Sequence, residues 1–241
     1  MPKFEYPLSF VSIIIPTLNE ADNIKSLLEI FDNLDESVFE VIISDSAVSR
    51  DDMSFLAQKR YVKYIKSGQT GRAYQMNDGA KIAKNNIFAF LHADVRPSDS
   101  FIIDIREAIN QGFSFGFFSY RFEPTSRLLD INASFTKSNG IFAGGGDQIH
   151  FMTKEVFDMM GGYNASFTIM EDFEFIKRFR KTGLPIKVIS NPAIVSSRKY
   201  NHNSWLKVNL LNMLAFVMFK LGVQPDKIKN VYYKNLKNPN G

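Results

Sequence analysis

Two adjacent acids, Glu171 and Asp172, stand at the start of a predicted helix in the segment IMEDFEFIKRFRKTG. Acids in the first turn of a helix commonly stabilise it through the helix dipole. A carboxylate in the same place can also act as a general base that removes a proton from a hydroxyl group. Taken alone, these residues are compatible with either role.

A third carboxylate, Asp94, follows a run of apolar residues in LHADVRPS, two positions beyond the predicted end of a strand. A carboxylate there could hold Mg²⁺ or Mn²⁺ against diphosphate oxygens and offset charge on a leaving nucleoside diphosphate. The alternative is an ordinary turn or helix cap. The chain has three histidines and no cysteine, so any metal is expected to be a hard cation held by oxygen.

Arg72 follows Gly71 at another predicted helix start, in QTGRAYQMNDGA. An arginine beside the free amides of a helix N-terminus can hold a phosphate or the edge of a base. The alternative is a solvated arginine with no ligand.

The elements that must position these groups alternate along the first half of the chain. Apolar runs at 10–16, 39–44, 61–65 and 87–92 predict four buried strands, and residues 24–31 and 72–84 predict helices between them. Asn19 and Asp22 predict a capping box before the first helix. This order implies βαβ units and a mostly parallel sheet whose ligands bind at the carboxyl ends of the strands.

The second half has a different character. Residues 113–122 predict an antiparallel or mixed strand, a glycine-rich loop follows at 140–146, and helices are predicted at 171–181, 204–221 and 226–236. Without repeats or linkers, residues 1–241 are predicted to form one domain. Its parts would be a nucleotide-binding half (10–112), an acceptor-side half (113–195) and a basic helical extension (196–241).

The extension carries eight basic residues and one acid. Such a charge suits an anionic ligand or membrane surface, or it is a solvated basic tail. Residues 205–221 are apolar around much of a predicted helix but too short to span a bilayer. They predict either a helix in a membrane interface or one buried in the core or a dimer interface. The start of the chain lacks a secretory signal, so the predicted location is cytoplasmic, with or without attachment to the cytoplasmic face of a membrane.

Taken together, the motifs resemble the family 2 glycosyltransferases, which have the GT-A fold, and most of all a bacterial branch of small soluble members. The resemblance covers residues 11–183. It rests on the segments VSIIIPTLNEADNI, FEVIISDS, GRAYQMNDGA, FAFLHADVRP, GGGDQIHFMTKEVFDMMGGYN and MEDFEFIKRFRKTG.

The resemblance implies roles by position. The catalytic base would be Asp172, beside Glu171. The loop bordering the acceptor would contain Gly145, Gly146 and Asp147. The nucleotide pocket would be lined by Pro16, Thr17, Leu18, Asn19, Glu20, Asp45, Arg72, Ala93 and Asp94. Asp94 would also hold the metal, Mn²⁺ or Mg²⁺.

Four positions depart from, or add to, the family pattern. His92 replaces the first acid of the Asp-x-Asp metal motif, where it is either a ligand or a residue that shapes the loop. His202 is either a further metal ligand or a surface histidine. Ser46 stands where some members have a second acid, so the preferred base stays open. The only tryptophan is Trp205, and the Gln-x-x-Arg-Trp motif of processive synthases is absent, which predicts transfer of one sugar.

The predicted activity is therefore metal-dependent, inverting transfer of a sugar from a nucleotide-diphosphate donor to an acceptor hydroxyl, which would be lipid-linked if the 205–221 helix binds membrane. No nucleic-acid partner is predicted. Two alternatives stay open. One is a catalytically silent GT-A domain that binds nucleotide or serves as a scaffold. The other is a nucleotidyltransferase, which would need a glycine-rich, lysine-bearing loop after the first strand, where this chain has TLNEADN.

Overall fold

The computed structural model describes residues 10–236. Its strands, in chain order, are β1 (Val11–Thr17), β2 (Phe39–Asp45), β3 (Val62–Lys66), β4 (Ile87–Phe90), β5 (Val95–Arg96), β6 (Phe115–Glu123), β7 (His150–Thr153) and β8 (Lys187–Ser196). They form one sheet in the order β3-β2-β1-β4-β7-β6-β8-β5.

Nine helices accompany these strands within the described residues. They are α1 (Ala21–Phe31), α2 (Arg72–Ile82), α3 (Phe101–Asn110), α4 (Arg127–Ser134), α5 (Lys154–Met160), α6 (Glu171–Arg180), α7 (Arg198–Asn201), α8 (Trp205–Lys220) and α9 (Pro225–Asn235). Two large cores form, one containing residues of α1 and α3 and the other containing residues of α2, α5 and α6.

The first four predicted strands are confirmed, and they pair in parallel as β3-β2-β1-β4. Every residue of β1 is buried, with Ile13 and Ile15 in one core and Ile14 in the other. A strand buried on both faces has no polar alternation, which is why its sequence is a continuous apolar run. The fourth strand ends at Phe90, so its predicted end at His92 is wrong, and Asp94 lies in the turn that follows.

Beyond β4 the sheet becomes mixed. The short strand β7 runs antiparallel to both β4 and β6, and β6 runs parallel to β8. The predicted mixed strand is thus confirmed as β6. Strands β5, β7 and β8 have no counterpart in the sequence prediction, because β5 and β7 have two and four residues and β8 carries Asn191 and Pro192 in its middle.

The start of α1 differs from the predicted capping box, which is wrong. Asn19 adopts a φ of 55°, and its Oδ1 accepts a hydrogen bond from the Arg50 amide. Glu20 is the N-cap residue, and its side chain makes no capping hydrogen bond. Instead Asp51 Oδ2 accepts from the Ala21 amide at 2.8 Å, so a residue far along the chain caps this helix.

The predicted C-terminal helices are confirmed as α8 and α9. Only four residues of α8 are buried: Val208, Ala215, Phe216 and Phe219. The helix is thus not a fully buried core helix. Within residues 10–236, no helix is both long enough and apolar enough to cross a bilayer.

Candidate active site

A buried glutamine of α2 links the ends of β1 and β2. The Gln75 side-chain amide in α2 donates to the carbonyls of Thr17 at 2.6 Å and Ser44 at 2.8 Å. These carbonyls stand at the carboxyl ends of their strands, and the Thr17 carbonyl also accepts from the Ser46 amide at 2.9 Å. The bonds fix the edge of the sheet at which the predicted nucleotide pocket begins.

Asp45 lies behind this edge. Its carboxylate is fully buried and accepts from Thr17 Oγ1 at 3.0 Å and from the Tyr64 hydroxyl at 3.1 Å. Burial and this carboxylate raise the pKa of Tyr64 to about 12. Asp45 thus uses both oxygens to tie three neighbouring strands together, in a place with no solvent exposure.

The predicted pocket residues after β1 divide into two groups. Pro16 and Thr17 are buried, whereas Leu18 and Asn19 are exposed at the surface above the sheet. Glu20 is half-buried, and burial and the nearby carboxylate of Asp94 raise its pKa.

Asp94 meets a basic residue from the C-terminal extension. Arg198 Nη2 lies 3.4 Å from Asp94 Oδ2 and 3.7 Å from Glu20 Oε1. One guanidinium therefore bridges the turn after β4 and the N-cap of α1. Nothing in the sequence pattern singled out Arg198.

His92 lies beneath this turn and is 8% exposed. Its Nδ1 is 3.5 Å from Arg72 Nη1, and the Gly146 backbone accepts a hydrogen bond from the ring. Burial and the positive charge of Arg72 lower its pKa to about 3, so the imidazole is neutral. Both sides of the ring are engaged, which favours the loop-shaping role for His92.

Arg72 links the start of α2 to the start of α6. Its Nε lies 2.7 Å from Glu171 Oε1, and the Glu171 side chain is only 1% exposed. The approach is that of an ion pair without hydrogen-bond geometry, so neither oxygen of this carboxylate has a hydrogen-bond partner among the described residues. A buried charge held in this way has unused capacity to accept hydrogen bonds.

Asp172, the next residue, is 5% exposed. Burial, then the adjacent Glu171 carboxylate, raises its pKa well above the ordinary value, and Arg72 opposes the shift only in part. The preceding Met170 adopts a left-handed φ of 66°, which sets the entry of the chain into α6. A carboxyl group with a raised pKa is a stronger proton acceptor once it is ionised.

Asp147 completes the group of acids. Burial and the charge of Asp94 raise its pKa, while Lys199 and Arg72 lower it. Asp147 also contributes to the raised pKa of Asp172. The structure thus brings the predicted acids Asp94, Asp147 and Asp172 into one electrostatic cluster.

The glycine loop before Asp147 lies against α6. A Cβ atom built at Gly145 would overlap the ring of Phe173, and one built at Gly144 would overlap Ile176. Gly146 has open space but a left-handed φ of 70°. The loop is therefore held close to the helix that carries Asp172.

We expect Gly145→Ala to destabilise the protein by about 1–3 kcal/mol, because the added methyl group must displace the Phe173 ring. The measurement is urea unfolding of the purified variant. Gly140→Ala in the same loop is the control, since its Cβ would meet only Ser138 Oγ at 3.8 Å. Equal stability of the two variants would contradict the close packing.

Sequence reasoning missed several residues of this site. Two of them are buried glutamines, Gln75 in GRAYQMNDGA and Gln148 in GGGDQIHF. Gln148 accepts from the Gly144 amide and donates to the Phe118 carbonyl at 2.8 Å. Their burial could not be inferred from these partly polar segments. Lys199 and Arg198 gave no signal beyond the basic charge of the extension.

The side chains of the site could hold a divalent cation together with the phosphates of a substrate. Asp94 offers a carboxylate that is accessible at the sheet edge, and Mg²⁺ is often held by one or two carboxylates plus substrate phosphates. Within residues 10–236 there is no group of three or more acids or histidines that could hold an ion without a substrate. His92 is occupied, and His202 lies exposed after α7. The residues therefore fit an ion that arrives with a diphosphate.

A surface groove of about 770 Å³ lies elsewhere, lined by residues that include Glu29, Arg96 and Asp99. It contains none of the acids described above. The site is therefore defined by its charged groups.

A parallel strand unit, followed by a mixed sheet and acids collected at the strand ends, defines a GT-A fold, the class of nucleotide-sugar transferases. Residues 12–165 match the family model described as glycosyl transferase family 2. The chain belongs to that family and is a glycosyltransferase, and membership excludes the nucleotidyltransferase alternative.

Solved structures support the same fold. Residues 1–349 of TarS from S. aureus align with a TM-score of 0.64 and 14% identity, covering 92% of this chain and 69% of that one. The same TarS fragment in complex with UDP-GlcNAc aligns with a TM-score of 0.63 and 14% identity, covering 94% of this chain and 71% of that one. The mannosyltransferase PcManGT from Pyrobaculum calidifontis, in complex with GDP-Man and Mn²⁺, aligns with a TM-score of 0.65 and 15% identity. The alignment covers 97% of this chain and 70% of that one. No curated protein sequence matches the chain.

Proposed function

We propose that this glycosyltransferase moves a single sugar from a nucleotide-diphosphate donor to an acceptor hydroxyl, with inversion at the anomeric carbon. The observation that supports it most is the buried pair Glu171–Asp172 with its single facing cation, Arg72. A buried ionisable pair with a strongly shifted pKa is typical of a catalytic site.

In the proposed reaction the acceptor hydroxyl gives its proton to the Asp172 carboxylate. Its oxygen forms a bond to the anomeric carbon as the bond from that carbon to the diphosphate oxygen breaks. The electron pair of the broken bond leaves with the nucleoside diphosphate. A single displacement of this kind inverts the anomeric configuration.

Arg72, held by Glu171, would lie beside the diphosphate and neutralise part of its charge. Asp94 would hold Mn²⁺ or Mg²⁺, which supplies further positive charge to the leaving diphosphate. Because Arg198 contacts Asp94, it would share or leave this carboxylate when an ion binds.

The donor and the acceptor are proposed to bind to different halves of the chain. The donor would bind to residues 10–112, with Leu18, Asn19, Glu20 and Ala93 near the nucleotide. The acceptor would bind to residues 113–195, beside Gly145, Gly146 and Asp147. The cytoplasmic location stays a prediction.

The test is a screen of UDP- and GDP-sugars with wild-type protein, by thermal shift and by release of nucleoside diphosphate. We expect at least one donor to bind and to be consumed when an acceptor is supplied. Binding without turnover in the presence of varied hydroxyl acceptors would favour a silent nucleotide-binding domain. Absence of binding would contradict the proposal.

We expect Asp94→Ala to abolish the effect of Mn²⁺ on the affinity for nucleoside diphosphate, because the ion loses its protein ligand. The measurement is calorimetric titration of UDP and GDP with Mn²⁺ and with chelator. Asp99→Ala, at an exposed acid five positions on, is the matched control. If wild-type protein binds equally well with metal and with chelator, Asp94 does not hold an ion.

A further inference from the structure

Helix α8 is apolar on two opposite faces, and only one of them is covered. Its exposed large apolar residues are Leu206, Leu210, Met213, Leu214, Val217 and Leu221, the last just beyond its end. At about 100° per residue these six fall within an arc of about 100°, opposite the buried Val208, Ala215 and Phe219. A helix that served only the core would have a polar outer face.

The start of α8 contacts a helix that also exposes apolar residues. The α4 helix and the turn after it expose Leu128, Ile131 and Phe135, each 47% or more, and the loop beyond exposes Ile141 at 62%. Trp205 Nε1 at the start of α8 donates to the Leu128 carbonyl at 3.1 Å, so the two helices are joined. We name these exposed residues of α4, its following loop and α8 the apolar surface. Exposed apolar patches of this kind mark interaction sites.

Exposed basic residues lie on the same elements as the apolar surface. Arg127, Lys137, Lys207 and Lys220 are all exposed on its elements, against the single acid Asp130. Helix α8 contains no acid at all, and α9 adds three exposed lysines and one exposed acid, Asp226. An apolar stripe with a basic border is the pattern of a helix that lies in the interface of an anionic bilayer.

The charge also opposes pairing of two copies. A two-fold dimer places the same patch of each copy against the other. It would bring four basic residues of one copy near the same four of its partner, with one acid each. Like charges across such a contact are unfavourable, whereas anionic lipid headgroups neutralise them.

The covered face of α8 lies against the active site. Phe216 packs on Phe173, the residue after Asp172, with ring centroids 5.3 Å apart, and on Phe142 of the glycine loop at 4.9 Å. The outer face of the same helix is therefore one helix thickness from the acceptor side of the site.

We propose that the apolar surface docks on an anionic membrane and so brings the acceptor side of the enzyme to a lipid surface. The docking does not require sugar transfer. The further inference that the acceptor hydroxyl belongs to a membrane molecule rests on the proposed function.

The test is co-sedimentation of the full chain with vesicles of phosphatidylcholine alone and of phosphatidylcholine with about one third phosphatidylglycerol, without donor or acceptor. We expect binding to the anionic vesicles, weakened by added salt because the lysines contribute. The double variant Leu210→Glu, Val217→Glu should bind roughly tenfold or more weakly, because two apolar side chains no longer enter the interface.

The matched control is Ile103→Glu, a residue of α3 that is 64% exposed and lies outside the apolar surface. It should bind vesicles like wild type. Light scattering gives the oligomeric state of every variant. Failure of wild type to bind anionic vesicles, equal binding by the double variant, or a wild-type dimer that the double variant dissociates would each overturn the proposal. Since no transfer is measured, these outcomes leave the proposed function untouched.

Discussion

Asp172→Asn should lower sugar transfer by roughly 10²–10⁴-fold, because the amide cannot accept the proton of the attacking hydroxyl. Donor affinity should barely change, since the base faces the acceptor. The measurement is initial rate with a true acceptor, because hydrolysis of the donor by water need not use the same base. Asp158→Asn, an exposed acid on α5, is the matched control and should keep the wild-type rate.

The same variant should not be less stable at neutral pH. Burial raises the pKa of Asp172. The charges of Glu171 and Asp147 raise this pKa further, and the charge of Arg72 opposes the shift only in part. The folded state thus holds the proton more tightly than the unfolded chain, so this group's contribution to stability is lost as pH rises above about 4.

We therefore expect the melting temperature of Asp172→Asn to exceed that of wild type at pH 7–8. The difference should shrink as pH is lowered through about 4, because below that pH wild-type Asp172 becomes protonated in the unfolded state as well. A folded variant with near-normal transfer would refute the assignment of the base and move it to Glu171 or Asp147. A variant that is less stable at pH 8 would contradict the raised pKa.

Arg72→Ala should weaken nucleoside diphosphate binding by roughly ten- to a hundredfold, the contribution of a hydrogen bond to a charged group. It should also destabilise the fold, because Glu171 is buried and loses its only facing cation in the described structure. The two effects have different causes, so a single variant cannot separate them.

The double variant Arg72→Ala, Glu171→Gln separates them. Removing the unpaired charge should restore much of the stability but not the nucleotide affinity. Calorimetry measures the nucleotide affinity and urea unfolding measures the stability. Arg60→Ala, at an exposed position, is the control. If the double variant recovers affinity as well, Arg72 acts through the fold and does not touch the diphosphate.

The parallel half of the fold was predictable because its strands are buried on both faces and their sequences are unbroken apolar runs. β1 illustrates this, since its buried side chains pack into both cores. The second half was not predictable in the same way. β5 is only two residues long, and β8 carries a proline, so neither has a pattern that separates it from a loop.

The candidate site was predictable where a motif fixed the residues and not where partners come from distant segments. Glu171 and Asp172 are adjacent in sequence, and the structure places both in the buried first turn of α6. Asp45 accepts a hydrogen bond from Tyr64 of a neighbouring strand, and Asp94 contacts Arg198, more than a hundred residues later. Neither partner is visible from local spacing.

The order of strands has a consequence for synthesis of the chain. All four strands of the parallel unit β3-β2-β1-β4 are complete by Phe90, so this unit can assemble while the rest is still being made. Among the described strands, β5 by contrast pairs only with β8, which ends at Ser196. The turn that carries Asp94 therefore emerges from the ribosome early but gains its neighbouring strand and Arg198 only after most of the chain has been translated. We therefore expect the site to close late in folding, because it needs pairings between distant segments.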